Sequence, residues 1–283
     1  MDYTDFTTHL PSSRPEWITR FAQVGLTAKG VVYCIVGALA FMAAFEINGT
    51  SEQSAGKQGV FRFILEQPYG QVLLALIAIG MLCYAIWRFI QAVKDTENRG
   101  SDAKGIAARV GYAFSGVVYG GLAFYAATLA LGSSGGSGGG GSGDSRQSFA
   151  RELLSQPYGI WLLSAVALGI IGTGIYQIYR AYSGRYMKNV NSAQIKPEIK
   201  KTLIRAGKVG YAARGIVWMV IGFLFMRAAM SANPSEAGGS GQAFQFIEQN
   251  TFGSFILGAV AIGLICYGVF MFVRARYENI QTT

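Results

Sequence analysis

Long apolar runs separated by short polar segments dominate this chain. The runs cover about residues 24–45, 71–93, 110–131, 160–182, 210–230 and 252–273. A helix needs roughly 20 residues to cross the hydrocarbon core of a membrane, and each run reaches that length. Because a backbone in lipid must satisfy its own hydrogen bonds, the pattern predicts an all-α polytopic membrane protein with six transmembrane helices.

Two motifs recur along these runs and divide the chain into three similar parts. The first motif reads GLTAKGVVY, GYAFSGVVY and GYAARGIVW, starting at Gly25, Gly111 and Gly210. The second reads QPYG, QPYG and NTFG, starting at Gln67, Gln156 and Asn250. Each pair of motifs opens two apolar runs, so the chain is predicted to contain three two-helix repeats. Each repeat enters and leaves on one side, so all three have the same orientation, and we expect a pseudo-threefold arrangement about the membrane normal.

The polar segments define the repeat boundaries. The prediction is a cytoplasmic tail over 1–16, repeats over 17–99, 104–187 and 201–279, and a cytoplasmic linker over 188–200 in which Pro197 breaks any helix. An outer loop over 132–143 is almost pure Gly and Ser, a composition typical of flexible coil. Amphipathic stretches over 58–67, 146–156 and 241–250 can lie in the outer interface with their apolar stripe in lipid. Pro68 and Pro157 after them suit helix starts.

Composition and charge support the membrane assignment and give an orientation. Hydrophobic residues make up 51% of the chain and charged residues 14%, whereas soluble domains carry about 25% charged residues. Of the 24 Lys and Arg residues, 19 flank one side of the predicted spans. The positive-inside rule then places both termini in the cytoplasm. The basic excess indicates contact with anionic lipids on the cytoplasmic side and does not indicate nucleic-acid binding.

Small residues recur on faces of the predicted helices, which lets helix backbones approach closely in lipid. An alternative interpretation is a central cavity lined by the three first-helix faces. The predicted helix-packing glycines are Gly30, Gly37, Gly80, Gly116, Gly120, Gly169, Gly215, Gly222 and Gly263. On the second helices, Tyr84, Thr173 and Tyr267 occupy one repeat position and could hydrogen-bond between helices.

One repeat position on the first helices carries charge. Lys29, Ser115 and Arg214 occupy it, and the aromatic residues Tyr33, Tyr119 and Trp218 follow four residues later on the same helix face. A cation–π contact within the helix is therefore expected in two repeats. Two interpretations stay open. The cations either snorkel toward the headgroups or form an anion or lipid-headgroup site near the centre of the three repeats.

Groups needed for catalysis are absent from the predicted spans. No Asp or Glu lies in the middle of any span, and the only histidine, His9, is in the N-terminal tail. Proton relays, metal sites and paired carboxylates therefore lack their residues inside the membrane. We expect no catalytic residues, no metal and no cofactor, and a protein that is not an enzyme.

The motifs resemble those of a known bacterial family. The GxxxxGxVY pattern, QPYG and the segment GMLCYAIWR from Gly80 to Arg88 are similar to the family catalogued as domain of unknown function 1206. The similarity runs from about Trp17 to Tyr277, with departures at Lys29, at Ser115 and in the NTFG variant. The resemblance implies a bacterial inner-membrane protein of three two-helix units and carries no function.

The sequence favours a structural, accessory or partner-binding role, with a membrane-protein partner or a homo-oligomer. The alternative is a channel, or a protein that binds a small solute or lipid, with its site on the predicted pseudo-threefold axis.

Overall fold

The computed structural model describes residues 16–52, 54–94, 100–132, 142–187, 190 and 197–277. These residues form α-helices and short turns. The helices are α1 Glu16–Ala44, α2 Lys57–Leu65, α3 Gly70–Lys94, α4 Ala103–Ala130, α5 Ser142–Leu154, α6 Gly159–Tyr182, α7 Pro197–Met230, α8 Ser240–Glu248 and α9 Gly253–Tyr277. Six of them, α1, α3, α4, α6, α7 and α9, are long and apolar enough to cross a membrane, which confirms the predicted fold class.

Neighbouring long helices pack in the order α4–α3–α1–α9–α7–α6. Three of these pairs, α3–α4, α6–α7 and α9–α1, join the second helix of one repeat to a first helix and are equivalent between repeats. Two more pairs, α1–α3 and α7–α9, lie within repeats 1 and 3. The corresponding pair in repeat 2, α4 and α6, is not closely packed along its described residues. The pseudo-threefold arrangement therefore stays a prediction.

Equivalent glycines lie at a close helix crossing in two repeats and at an open position in the third. A Cβ added at Gly25 would lie 2.7 Å from the backbone of Tyr84, and one at Gly210 would lie 2.6 Å from the backbone of Tyr267. Only glycine permits these crossings of α1 with α3 and of α7 with α9. At Gly111, the equivalent position in repeat 2, a Cβ would meet no described atom within 4 Å.

Most of the predicted packing glycines lie at helix contacts. Gly30 packs on Gly268 and Phe272, and Gly215 packs on Gly174 across the α6–α7 contact. Equivalent close approaches occur at Gly37, Gly80, Gly116, Gly222 and Gly263, with ordinary contact at Gly120. Gly169 is the exception, because no described atom lies within 4 Å of an added Cβ there. The packing role predicted for Gly169 is wrong, since α4 is not packed against this part of α6.

The QPYG motif forms a tight turn between a short helix and the next long helix. Pro68 and Pro157 lie in this turn and not in the first helical turn, which corrects the prediction that they start helices. The tyrosines that follow, Tyr69 and Tyr158, adopt left-handed φ values of 61° and 63°. A Cβ on Gly70 would lie 2.2 Å from the carbonyl oxygen of Ile64, so the motif ends in glycine because the chain turns back onto the preceding helix.

The short helices α2, α5 and α8 form a layer on one side of the bundle. This side is called the hairpin side below, and the opposite side is called the termini side. Val60, Phe61 and Ile64 of α2 are buried, as are Phe244 and Ile247 of α8. The apolar stripes of α2 and α8 therefore pack on the protein, which corrects the prediction that they face lipid, whereas Phe149 in the stripe of α5 is 48% exposed.

Two predicted connections differ from the structure or lie beyond it. α7 begins at Pro197, inside the predicted linker, because proline at a first helical position loses no hydrogen bond. Pro197 starts this helix where it was predicted to break one. Most of the Gly/Ser loop (133–141), residues 1–15 of the predicted tail, and residues 188–189 and 191–196 lie outside the described residues.

A buried cluster of cations and tyrosines

Side chains from six helices meet between repeats 1, 2 and 3 and form one buried polar group, called here the cation–tyrosine cluster. α1, α3, α4 and α9 contribute one tyrosine each, and α1, α2, α3 and α7 contribute one cation each. The members are Tyr33, Tyr84, Tyr119, Tyr267, Lys29, Lys57, Arg88 and Arg214.

Lys29 lies at the middle of the cluster. Its side chain is 1% exposed, and its Nζ donates a hydrogen bond of 2.9 Å to the Tyr84 hydroxyl. The same Nζ lies 4.6 Å from the ring centre of Tyr84, 5.1 Å from that of Tyr119 and 5.5 Å from that of Tyr267. The ammonium is therefore enclosed by aromatic rings and one neutral hydroxyl.

Two arginines donate to the hydroxyls of tyrosines whose rings also contact Lys29. Arg88 Nε donates to the Tyr84 hydroxyl at 2.8 Å, and Arg214 donates to the Tyr267 hydroxyl at 2.6 Å. Each hydroxyl oxygen therefore accepts from a cation, and its own proton is left for a further acceptor. The Tyr119 hydroxyl and Arg214 Nε are buried with no hydrogen-bond partner among the described residues. The cluster thus presents several donors.

Each of the four rings is faced by two cations. Lys29 contacts three of the rings. The second cation is Arg88 at the Tyr84 ring, Lys57 at the Tyr119 ring and Arg214 at the Tyr267 ring. Lys57 and Arg214 share Tyr33, at 5.2 and 5.5 Å from its ring centre. This shared arrangement links all the cations into one network.

No acidic group balances this charge among the described residues. None of the six candidate spans contains an Asp or Glu, and no carboxylate pairs with Lys29, Arg88 or Arg214 in the part of the chain that the structure describes. A cation–ring contact contributes about 0.5 to 2 kcal/mol, whereas removing an ion from water costs several kcal/mol. The rings therefore offset only part of the cost, and the cluster is suited to an anion.

Lys57 connects the cluster to a cavity on the hairpin side. The cavity has a volume of about 860 Å³, and its other charged lining residues in the described part of the chain are Arg62, Arg146 and Glu66. The backbone N–H of Lys57 donates to Ser240 Oγ of α8 at 3.3 Å, which ties α2 to the rest of the layer. Burial lowers the pKa of the Lys57 ammonium, and the nearby Tyr33 hydroxyl partly opposes that shift.

A second group of cations continues toward the termini side. Arg274 donates to the Tyr211 hydroxyl at 3.4 Å, and the Arg180 guanidinium lies 5.1 Å from the Tyr211 ring centre. The Tyr211 and Tyr267 rings are in edge contact at 5.2 Å. Positive charge therefore extends from the cavity, through the cluster, to the ends of α6 and α9.

The structure brings together four of the six predicted site residues. Lys29, Tyr33, Tyr119 and Arg214 belong to the cluster. Ser115 and Trp218 are half-buried and make none of the hydrogen bonds or cation–ring contacts found for the cluster's described residues. Repeat 2 therefore contributes a ring but no cation.

Two expectations about the cations need correction. The predicted contacts within a helix, Lys29 with Tyr33 and Arg214 with Trp218, are wrong: both cations contact rings on other helices, because their side chains point between the repeats. The snorkelling interpretation is also wrong for Lys29, which is buried.

The expected hydrogen bonds between helices occur at Tyr84 and Tyr267, whereas Thr173 Oγ1 donates to Gly169 O within its own helix.

Sequence reasoning missed Lys57 and Arg88 as members of the site. Both were counted only as topology signals. Lys57 carried a usable signal, because it is one of only five Lys or Arg residues on the predicted outer side. Three of those five, Lys57, Arg62 and Arg146, line the cavity. Arg88 carried a weaker signal, since it follows Tyr84 by four residues and so shares its helix face.

The comparisons with known proteins agree with this architecture. The chain matches the family described as "Domain of Unknown Function (DUF1206)" in three segments, residues 24–95, 110–184 and 209–278. The chain belongs to the DUF1206 family. The three matched segments of this DUF1206 protein correspond to its three repeats, each with two long helices.

A curated relative of this DUF1206 protein has no assigned activity. It is "Uncharacterized protein YxxB" from Bacillus subtilis (strain 168), which is 32% identical over 263 residues, covering 93% of this chain and 92% of the relative. No solved structure matches the chain. The cluster described above is therefore the most specific lead to function.

Proposed function

We propose that this DUF1206 protein is a membrane protein that binds an oxyanion, such as a phosphate or carboxylate group, at the cation–tyrosine cluster. The observation that carries the proposal is the Lys29 ammonium. It is 1% exposed and held by a neutral tyrosine, with Arg88 and Arg214 in the same network and no acidic residue in any candidate span. A bound anion would balance this charge.

The donor set favours an oxyanion over a simple halide. Guanidinium groups are planar and match the oxygens of carboxylates and phosphates. Arg214 Nε and the Tyr119 hydroxyl are unpartnered among the described residues, and the Tyr84 and Tyr267 hydroxyls retain a proton each. Several directed donors around one point suit a ligand with several oxygen acceptors.

The proposed orientation follows the charge distribution. We place both termini in the cytoplasm of a bacterial inner membrane, since most Lys and Arg residues flank the termini side, and anionic lipids on that side are the proposed lipid contacts. We propose a binding role and no catalysis. The accessory or partner-binding role, with a membrane-protein partner or homo-oligomer, stays a prediction, and native mass spectrometry would reveal such a partner.

Thermal unfolding tests the proposal. The purified protein in phosphatidylcholine nanodiscs would be melted in sodium chloride and in phosphate, sulfate or acetate at constant ionic strength. We expect at least one oxyanion to raise Tm, because a ligand that binds only the folded state stabilises it. The double variant Lys29→Gln/Arg214→Gln should lose the shift. Lys208→Gln should retain it, since Lys208 is exposed and contacts the ring of Tyr182 away from the cluster.

A second set of nanodiscs identifies the source of the anionic group. Stabilisation by soluble oxyanions in phosphatidylcholine indicates a free solute. Stabilisation only when phosphatidylglycerol replaces phosphatidylcholine indicates a lipid headgroup. A wild-type Tm that responds to neither would overturn the proposal.

A further inference from the structure

Deepening the proposed function, on which this inference rests, we propose that the protein provides a path for an oxyanion across the membrane. The hairpin-side cavity is its entrance, and Lys57 passes the anion between that cavity and the cation–tyrosine cluster.

The cavity has the chemistry of an anion entrance. Among the described residues its lining includes Lys57, Arg62 and Arg146, and Glu66 is the one acidic residue. Hydroxyl and amide groups fill much of the remaining wall, among them Ser240 and Gln147. Basic clefts with low-dielectric walls concentrate anions, and about 860 Å³ accommodates a small organic anion as well as an inorganic one.

Lys57 belongs both to the cavity lining and to the cation–tyrosine cluster. It lines the cavity, and its Nζ also lies 5.2 Å from the ring centre of Tyr33 and 5.5 Å from that of Tyr119. The Tyr119 ring is also contacted by the Lys29 ammonium. An anion that exchanges Lys57 for Lys29 therefore stays close to a cation throughout.

The positions of the cations along their helices continue the path toward the termini side. Lys29 and Arg214 lie near the middle of their spans, and Arg88 lies one turn beyond Tyr84 along α3. Arg274 lies two turns beyond Tyr267 along α9, where it hydrogen-bonds to Tyr211. Cations are thus distributed through the whole thickness of the bundle, from the hairpin side to the termini side. Because many weak contacts replace one strong one, bound anions can also leave.

Flux and binding are measured together to test the path. Phosphatidylcholine vesicles containing the protein are loaded with whichever oxyanion of the panel raises Tm most, in radiolabelled form. Potassium and valinomycin supply a compensating charge movement, so that a membrane potential does not limit the release of the anion. We expect release to be about tenfold or more faster than from protein-free vesicles. Lys57→Gln should reduce release about tenfold or more, and it should weaken the Tm shift less than Lys29→Gln/Arg214→Gln does.

Matched variants separate the possible failures. Arg151→Gln, at an exposed cation on α5 that does not line the cavity, should release anion at the wild-type rate, and Lys57→Arg should restore most of the flux. If wild-type vesicles release anion no faster than protein-free ones while Tm still responds, the path is overturned and the binding site stands. If Lys57→Gln conducts like wild type, the role of Lys57 is overturned. If Lys57→Gln loses the Tm shift as fully as Lys29→Gln/Arg214→Gln does, its separate role in passing the anion is overturned. A wild-type protein that shows neither a Tm shift nor flux overturns the proposed function itself.

Discussion

Lys29 is held inside the membrane domain by contacts that are each weaker than the hydration it has lost. Its partners are one tyrosine hydroxyl and three ring faces. A charge buried under such conditions is expected to serve binding at a cost in stability. This trade-off makes Lys29 a sharp test of the site.

Lys29→Met is expected to stabilise the protein in the absence of oxyanions. Replacing buried charge by an apolar side chain of similar size is often neutral or stabilising by about 1 to 4 kcal/mol. Tm in anion-poor buffer measures this, with Lys208→Met as the exposed control. A Tm well below that of the control would show that Lys29 is a structural residue and not a ligand-binding one.

A carboxyl pair on the hairpin side gives a pH dependence. A hydrogen bond with Glu52, together with burial and repulsion from Glu52 and Glu46, raises the pKa of Glu248 to about 7. Between the ordinary glutamate pKa and about 7, the folded protein binds more protons than the unfolded chain. Stability should therefore fall as pH rises through this window.

Glu248→Gln should remove this part of the pH dependence. We expect Tm of the wild type to decrease between about pH 5 and pH 8, and Tm of the variant to vary less. An unchanged pH profile in the variant would contradict the pairing of Glu248 with Glu52.

The sequence predicted part of the site at this scale. Lys29 and Arg214 were found because the repeat register puts both at one position. Lys57 and Arg88 were not found because they occupy different positions in the repeat, and only the packing of α2 and α3 brings them to the same rings. Aligning the repeats shows which positions are equivalent, but it does not show which residues of different repeats are in contact.

The helices illustrate what hydropathy can and cannot predict at the scale of elements. All six spans follow from apolar length, because the membrane fixes how long a spanning helix must be. Repeat 2 has glycines, Gly111 and Gly169, at the positions where glycines form close helix crossings in the other repeats. The separation of α4 from α6 could therefore not be predicted from the sequence. Identical small residues permit close packing without enforcing it.

Equivalent glycines provide a matched test of this difference. Gly25→Ala and Gly210→Ala should each destabilise the protein by about 1 to 3 kcal/mol, because the new methyl group meets the backbone of the facing helix. Gly111→Ala should be neutral or slightly stabilising, since alanine favours helix and the position is open. Tm of the three variants in one detergent checks the order. A Gly111→Ala variant as unstable as Gly25→Ala would show that α4 and α6 are packed.

At the scale of the whole molecule, orientation decides which compartment the cavity faces. In a variant with Cys34, Cys83 and Cys266 replaced by Ala, Ser51→Cys should react with a membrane-impermeant maleimide in intact cells. Ser101→Cys, between α3 and α4, should react only after permeabilisation. Ser51 lines the cavity, so this pattern would place the entrance outside the cytoplasm. The reverse pattern would invert the proposed orientation.

The contact between α1 and α9 has a consequence for synthesis. α1 leaves the ribosome before every other described helix, yet the face that carries Gly30 and Lys29 packs on α9, which emerges after all of them. During translation the Lys29 ammonium is therefore in the bilayer without the Tyr267 ring, and the site closes only when α9 inserts. A nascent chain interrupted before α9 would therefore keep the Lys29 charge without one of its three ring contacts.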